Sequence, residues 1–123
     1  MISYVTLGVS DLTAAKTFYG ELLAEMGGKL LMDMGRICFI GETMEQPMLA
    51  VCIPFNKQPA QPGNGNMVAF APGSKAAVDA MYHKAIALGA SCDGAPGQRI
   101  ADRFYGAYVR DVDGNKLCFN HFG

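Results

Sequence analysis

Three things are missing from this sequence of 123 residues, and each absence closes off a class of function. Its 10 Lys and Arg lie scattered among 11 Asp and Glu. They make no basic stripe of the kind that tracks a phosphate backbone, so nucleic acid is not an expected partner. No apolar run approaches the roughly eighteen residues of a membrane span, and the N-terminus enters an alternating segment with no signal-peptide pattern. A cytoplasmic protein with no membrane partner is the expectation. Finally, none of Cys38, Cys52, Cys92 and Cys118 stands in a CxxC pair, and all lie in or beside apolar segments. That usage fits reduced thiols serving as small hydrophobes better than a zinc knuckle or a disulfide framework.

What is present is a repeat. Met67–Gly89 says over again, sixty-three residues later, what Tyr4–Met26 has already said: strand, turn, helix. Val5 falls on Val68, Leu7 on Phe70, Ala14 on Ala77, Phe18 on Met81 and Tyr19 on Tyr82. Half of the residues are apolar, and a chain of this length is one ordinary domain that buries roughly two-thirds of its unfolded surface. Two copies of one supersecondary unit are therefore expected within a single domain spanning 1–123.

In the first copy, residues 1–53, Ile2–Val9 alternates as a strand, with Val5, Leu7 and Val9 on one face. Ser10 or Asp11 caps a helix whose stripe is Leu12, Ala15, Phe18, Tyr19, Leu22 and Met26, and Gly27-Gly28 ends it. Lys29–Asp33, Arg36–Gly41 and Met48–Ile53 read as three antiparallel strands. Residues 54–66, with three prolines and two glycines, form a crossing loop. The second copy, residues 67–123, repeats the order. Asn66–Ala71 is a strand, Ser74 caps a helix with the stripe Val78, Met81, Tyr82, Ala85 and Leu88, and Gly89 stops it. Ala90–Cys92 reads as a weak strand, Asp93–Asp102 as a loop, and Phe104–Arg110 and Lys116–His121 as strands. Asp113-Gly114-Asn115 supplies the left-handed residues of a tight hairpin turn between those two. The class is α+β: two βαβββ repeats forming an eight-stranded, curved, half-barrel mixed sheet with helices on its outer face.

If both helices cover the face of Val5, Leu7, Val68 and Phe70, the pleat puts Tyr4, Thr6, Met67 and Ala69 on the other. The last strands obey the same rule, since Leu49 and Val51 match Leu117 and Phe119 at an offset of 68, leaving Ala50, Cys52, Cys118 and Asn120 inside. A concavity lined by these eight residues is the expected ligand pocket.

The segments VTLGVSDLTAAKTFYGELL, GNGNMVAFAPGSKAAVDA and FYGAYVRDVDGNKLCF, in this order over nearly the whole chain, resemble the vicinal oxygen chelate superfamily, the glyoxalase, bleomycin-resistance and extradiol-dioxygenase group. In its metal-dependent members the resemblance implies a divalent ion held by one side chain from the first and last strand of each unit, usually His and Glu. Carried over, those positions are Tyr4, Ala50, Met67 and Cys118, and none is the expected ligand. Ala50 has no donor, Met67 offers a thioether suited to soft copper(I), and Tyr4 would have to lose its proton. Cys118 alone is a plausible ligand, and a catalytic metal usually takes three from the protein.

The resulting expectation is a small-molecule-binding protein without the family's metal or any other cofactor, holding a modest, partly apolar organic ligand. The resemblance further implies a homodimer. Two alternatives stand beside it: a metal-dependent lyase, isomerase or dioxygenase with non-standard ligands, and a non-catalytic interaction module with a filled pocket. No catalytic residue is identified. Cys118 lacks a base, because His121, three residues on, points to the other strand face. His83 reads as a solvated helix residue, and Asp111–Asn115 as a turn and not a calcium loop. Tyr105 and Tyr108 are candidate flat walls for a planar ligand.

Overall fold

Capping side chains start both helices where the sequence places them. The structure, a computed structural model, describes residues 1–123. Asp11 accepts the Ala14 N–H at 3.0 Å and opens helix α1 (Leu12–Ala24), and Ser74 accepts the Ala77 N–H at 3.0 Å and opens helix α2 (Lys75–Ala87). The ends match as well. Gly27 and Gly89 take positive φ, of 81° and 106°, and the next residue's N–H reaches back five residues, Gly28 to the Leu23 carbonyl and Ala90 to the Ala85 carbonyl.

The chain divides into two compact units, Met1–Gln61 and Pro62–Gly123. In the first, strands β1 (Tyr4–Gly8), β2 (Lys29–Asp33), β3 (Ile37–Gly41) and β4 (Met48–Cys52) form one sheet in the order β1-β4-β3-β2. β1 runs parallel to β4, and the other pairs are antiparallel. In the second, β5 (Val68–Phe70), β6 (Ser91–Ile100), β7 (Phe104–Arg110) and β8 (Lys116–His121) repeat the arrangement as β5-β8-β7-β6, with β5 parallel to β8. The eight expected strands thus come as two four-stranded mixed sheets, each with one helix on one face.

In the first unit α1 lies against β2, β3 and β4, burying Ala15, Tyr19, Leu22 and Leu23. Lys16 of this helix pairs with Asp33 at 3.1 Å beside Cys38, which places Cys38 and Ile40, and across from them Val51 and Leu49, on the helix side. Val5 and Leu7 share that face by register but are only half-buried, because β1 is the sheet edge. In the second unit Val78, Met81, Tyr82 and Ala85 of α2 are buried against β6, β7 and β8. The Tyr105 hydroxyl donates to Asp79 of α2 at 2.6 Å, so Tyr105, Ala107 and Val109 face the helix together with their β8 partners His121, Phe119 and Leu117.

Two expectations need correction. Asp93–Asp102 is not a loop: β6 begins at Ser91, within the expected weak strand, and continues through this stretch as far as Ile100. Gly94, Pro96 and Gly97, which suggest a loop, instead accompany two of the three register shifts against β7, and the strand tolerates a proline because it lies at the sheet edge. The first strand of the second unit is shorter than expected, so Met67 precedes β5 instead of belonging to it.

The β7–β8 turn also differs in detail. Only Gly114 takes a positive φ, of 86°, and the turn is built around Asp111, which is 7% exposed. Its Oδ1 accepts the N–H groups of Asp113 and Asn115 at 2.9 and 2.8 Å, and its Oδ2 accepts Asn115 Nδ2 at 2.9 Å. Removing this carboxylate takes the acceptor from three donors, two of them the buried N–H and Nδ2 of Asn115. Asp111→Ala is expected to cost about 2–3 kcal/mol, read as a lower urea midpoint at unchanged m. A loss below about 0.5 kcal/mol would show that water replaces the carboxylate there.

Candidate functional site

The face away from the helix is the one on which the sequence places its candidate residues, and the two units treat it differently. In the first sheet Tyr4 and Thr6 are exposed, and the Tyr4 ring meets Phe39 edge to face at 4.9 Å. Register puts Tyr4 beside Met48 and Thr6 beside Ala50. Ala50 is fully buried with Phe39 and Met48 in an apolar cluster to which Leu31, Met32 and Ile37 add. Cys52, two residues on, is buried too. The structure therefore puts Tyr4, Thr6, Ala50 and Cys52 on one face, but only the β1 pair is open.

In the second unit Met67, just before β5, and Ala69 are exposed, whereas Cys118 and Asn120 are buried. Ala69 stands beside Cys118, Cys118 opposite Tyr108, and Asn120 opposite Gly106. Tyr108 is the centre of this face. Lys116 Nζ lies 5.1 Å and the Arg99 guanidinium 5.5 Å from its ring centroid, both within cation–π range. Arg99 folds back along β6 to donate to the Ala95 carbonyl, over Gly94 and Gly97, where its nitrogens occupy the space a side chain would fill. Lys116 and Arg110 both reach Asp93 Oδ2, at 3.4 and 3.1 Å.

Electrostatics set what these groups do. Burial pushes the Cys118 thiol up, and the hydrogen bond from Tyr108 with the nearby Lys116 and Arg99 charges offsets only part of that. The thiol is protonated at neutral pH and is not an activated nucleophile. Asp93 is pushed up by desolvation but pulled further down by Lys116 and Arg110, so it is the anion of this cluster. Tyr105 on the helix face is raised because its hydroxyl donates to Asp79. His121 shares that face and cannot serve Cys118; His83 is exposed on α2 with its ring edge-on to Tyr82.

Arg99 and Phe104 went unread in the sequence. Arg99 sits in the stretch taken as a loop, to which no face was assigned. Phe104 was legible, since it is four residues before Tyr108 in one strand and period two puts both on the same face.

No three His, Cys, Asp or Glu side chains gather where they could share one ion. The residues at the four positions expected for metal ligands fit a divalent ion poorly: Ala50 brings no donor and is sealed in its cluster, Met67 offers only a soft thioether, and Tyr4 and Cys118 alone fall short of the three protein ligands a catalytic metal usually takes. No helix is long and apolar enough to cross a membrane.

Residues 1–119 match the family model for the Glyoxalase/Bleomycin resistance protein/Dioxygenase superfamily. The chain is similar to a glyoxalase/bleomycin resistance protein from Albidiferax ferrireducens T118, with 37% identity, a TM-score of 0.89, and coverage of 100% of this chain and 99% of that one. It shares its fold with a lactoylglutathione lyase from Agrobacterium tumefaciens, at 24% identity and a TM-score of 0.70 over 98% of this chain and 92% of that one. The same holds for TnmS3, an antibiotic binding protein from Streptomyces sp. CB03234, at 22% identity and a TM-score of 0.70 over 100% and 96%. No curated protein matches.

The thiols offer a direct check on burial. Cys92 is exposed and Cys38, Cys52 and Cys118 are buried, so Ellman's reagent should titrate one thiol quickly in the native protein and four in urea. Cys92→Ser should abolish the fast phase. A fast phase that survives this substitution would mean that Cys118 or another buried thiol is reactive.

Proposed function

Because this chain belongs to the glyoxalase/bleomycin resistance protein/dioxygenase superfamily, we propose that it is a small-molecule-binding protein that works without the divalent metal of its enzymatic relatives. A lyase and an antibiotic binding protein share this fold, so the fold does not choose between catalysis and binding, and the site must. One observation carries the reading: where resembling enzymes place metal ligands, this chain has Tyr4, Ala50, Met67 and Cys118, an exposed phenol, a methyl group with no donor, an exposed thioether and a buried thiol, short of the three hard or borderline ligands a catalytic divalent ion usually takes. A face of aromatic, thioether and aliphatic groups with a few donors holds a partly apolar organic molecule by burial and orients it by hydrogen bonds.

The Phe39–Met48–Ala50 cluster favours a filled face in the first sheet, so the ligand is assigned to the second, where Tyr108, Cys118 and Asn120 lie. A homodimer and a cytoplasmic location belong to the same proposal and rest on family resemblance and composition.

Native mass spectrometry of the protein as purified tests the reading. The expected spectrum carries an organic adduct that disappears on denaturation. A bare protein mass, together with no thermal stabilisation by any member of a panel of small aromatic and aliphatic acids, ketones and phenols, would contradict it.

A further inference from the structure

The face of the second sheet away from α2 carries more positive charge than its own carboxylates neutralise. Arg99 and Lys116 flank the Tyr108 ring there, and Arg110 stands opposite Lys116. Asp93 is the one carboxylate within ion-pair reach of the three, and it takes Arg110 and Lys116. Arg99 pairs with none. One carboxylate against three cations leaves a positive surplus on this face, in a chain whose net charge is −1.

Arg99 is placed there by the backbone. A Cβ on Gly97 would lie 2.8 Å from its Nη1 and one on Gly94 3.3 Å from its Nη2, so these two glycines make the room in which the guanidinium rests beside Tyr108. Its bond to the Ala95 carbonyl uses one N–H and leaves the rest of the planar fork open. Lys116 is half-buried, with 31% of its side chain exposed. Burial pushes the Cys118 thiol up, and the Lys116 and Arg99 charges both pull against it, so both cations act at the middle of the face. From there the surface turns apolar. Tyr108, Cys118 and Ala69 stand in one row across β7, β8 and β5, about 10 Å from end to end, and Met67 beyond Ala69 is exposed. Asn120 on the same face takes no part, because its unpartnered Nδ2 is sealed from the surface.

We infer that the ligand of this face is an organic anion, its carboxylate or phosphate oxygens bound by the Arg99 guanidinium and the Lys116 ammonium beside Tyr108, and its apolar part laid along the row toward Ala69 and Met67. The inference rests on the small-molecule reading above and adds the class of ligand. Charge-assisted bonds to a partly buried pair of cations are what select an anion over a neutral molecule of the same shape.

Three probes of one shape test it: 2-naphthoate, 2-naphthyl phosphate and the neutral 2-naphthamide, followed by their own fluorescence, since the protein has no tryptophan. At least one anionic probe should bind about tenfold or more tighter than the amide, and the tighter of the two identifies the head group. Raising NaCl from about 20 to about 500 mM should weaken the anions and leave the amide unchanged. Arg99→Gln and Lys116→Gln should each cut the preference about threefold or more, while Arg103→Gln, the same change of charge in the β6–β7 turn, should leave it as it is. Equal affinities for anions and amide, no binding of any probe up to about 1 mM, a preference that survives either substitution at the two cations, or an equal loss in Arg103→Gln would overturn the inference. A native spectrum whose organic adduct carries no acidic group would overturn this assignment and leave the proposed function standing.

Discussion

The pleat of β8 is the constraint on which the rest of the second unit depends. Leu117 and Phe119 point to α2 and complete the core, Phe119 stacking on Phe70 at 6.0 Å, so Cys118 and Asn120 have no choice but to point the other way. Flanked by β5 and β7, the strand is buried on both faces. A one-residue slip would exchange the two sets and put an amide against the helix. Packing on one face thereby fixes polar chemistry on the other.

That division separates the positions the fold requires from those it leaves open. The helix-side residues of both sheets, Cys38, Ile40, Leu49 and Val51 in the first and Ala107, Val109, Leu117 and Phe119 in the second, are almost wholly buried, and each substitution toward a smaller side chain there costs on the order of 1–4 kcal/mol. The opposite face carries no such burden at Tyr4, Thr6, Met67 and Ala69, which are exposed. Side chains can be exchanged at those positions without disturbing the core, whereas Ala50 and Cys118 on the same faces are fully buried and constrained by packing.

Much of this was legible in the sequence. Asp11 and Ser74 marked the helix starts because a cap is a local interaction between residues three apart. β2, β7 and β8 have the expected bounds, β2 because Met34-Gly35 stops a short apolar run and β7 and β8 because Asp113-Gly114-Asn115 marks the hairpin between them. Faces follow from the period of two along each strand. Only the start of β6, within Ala90–Cys92, is legible, because Gly94, Pro96 and Gly97 are loop signals unless a neighbouring strand accepts the bulges, and that neighbour is supplied by tertiary structure. Depth was also beyond the sequence. Alternation tells which face Ala50 is on, but not that Phe39 and Met48 close over it, nor that Asn120 is left without an acceptor by a glycine opposite.

Binding without a metal on an intact family fold is what we propose for this protein. Isothermal titration of the apo protein with Zn²⁺, Ni²⁺, Mn²⁺ and Fe²⁺, after exhaustive chelation, addresses it most directly. The result expected is no stoichiometric binding tighter than about 100 μM for any of the four, with Tyr4→Phe and Cys118→Ala unchanged from wild type. Binding of one ion per chain at about micromolar affinity or better, weakened by either substitution, would contradict the account.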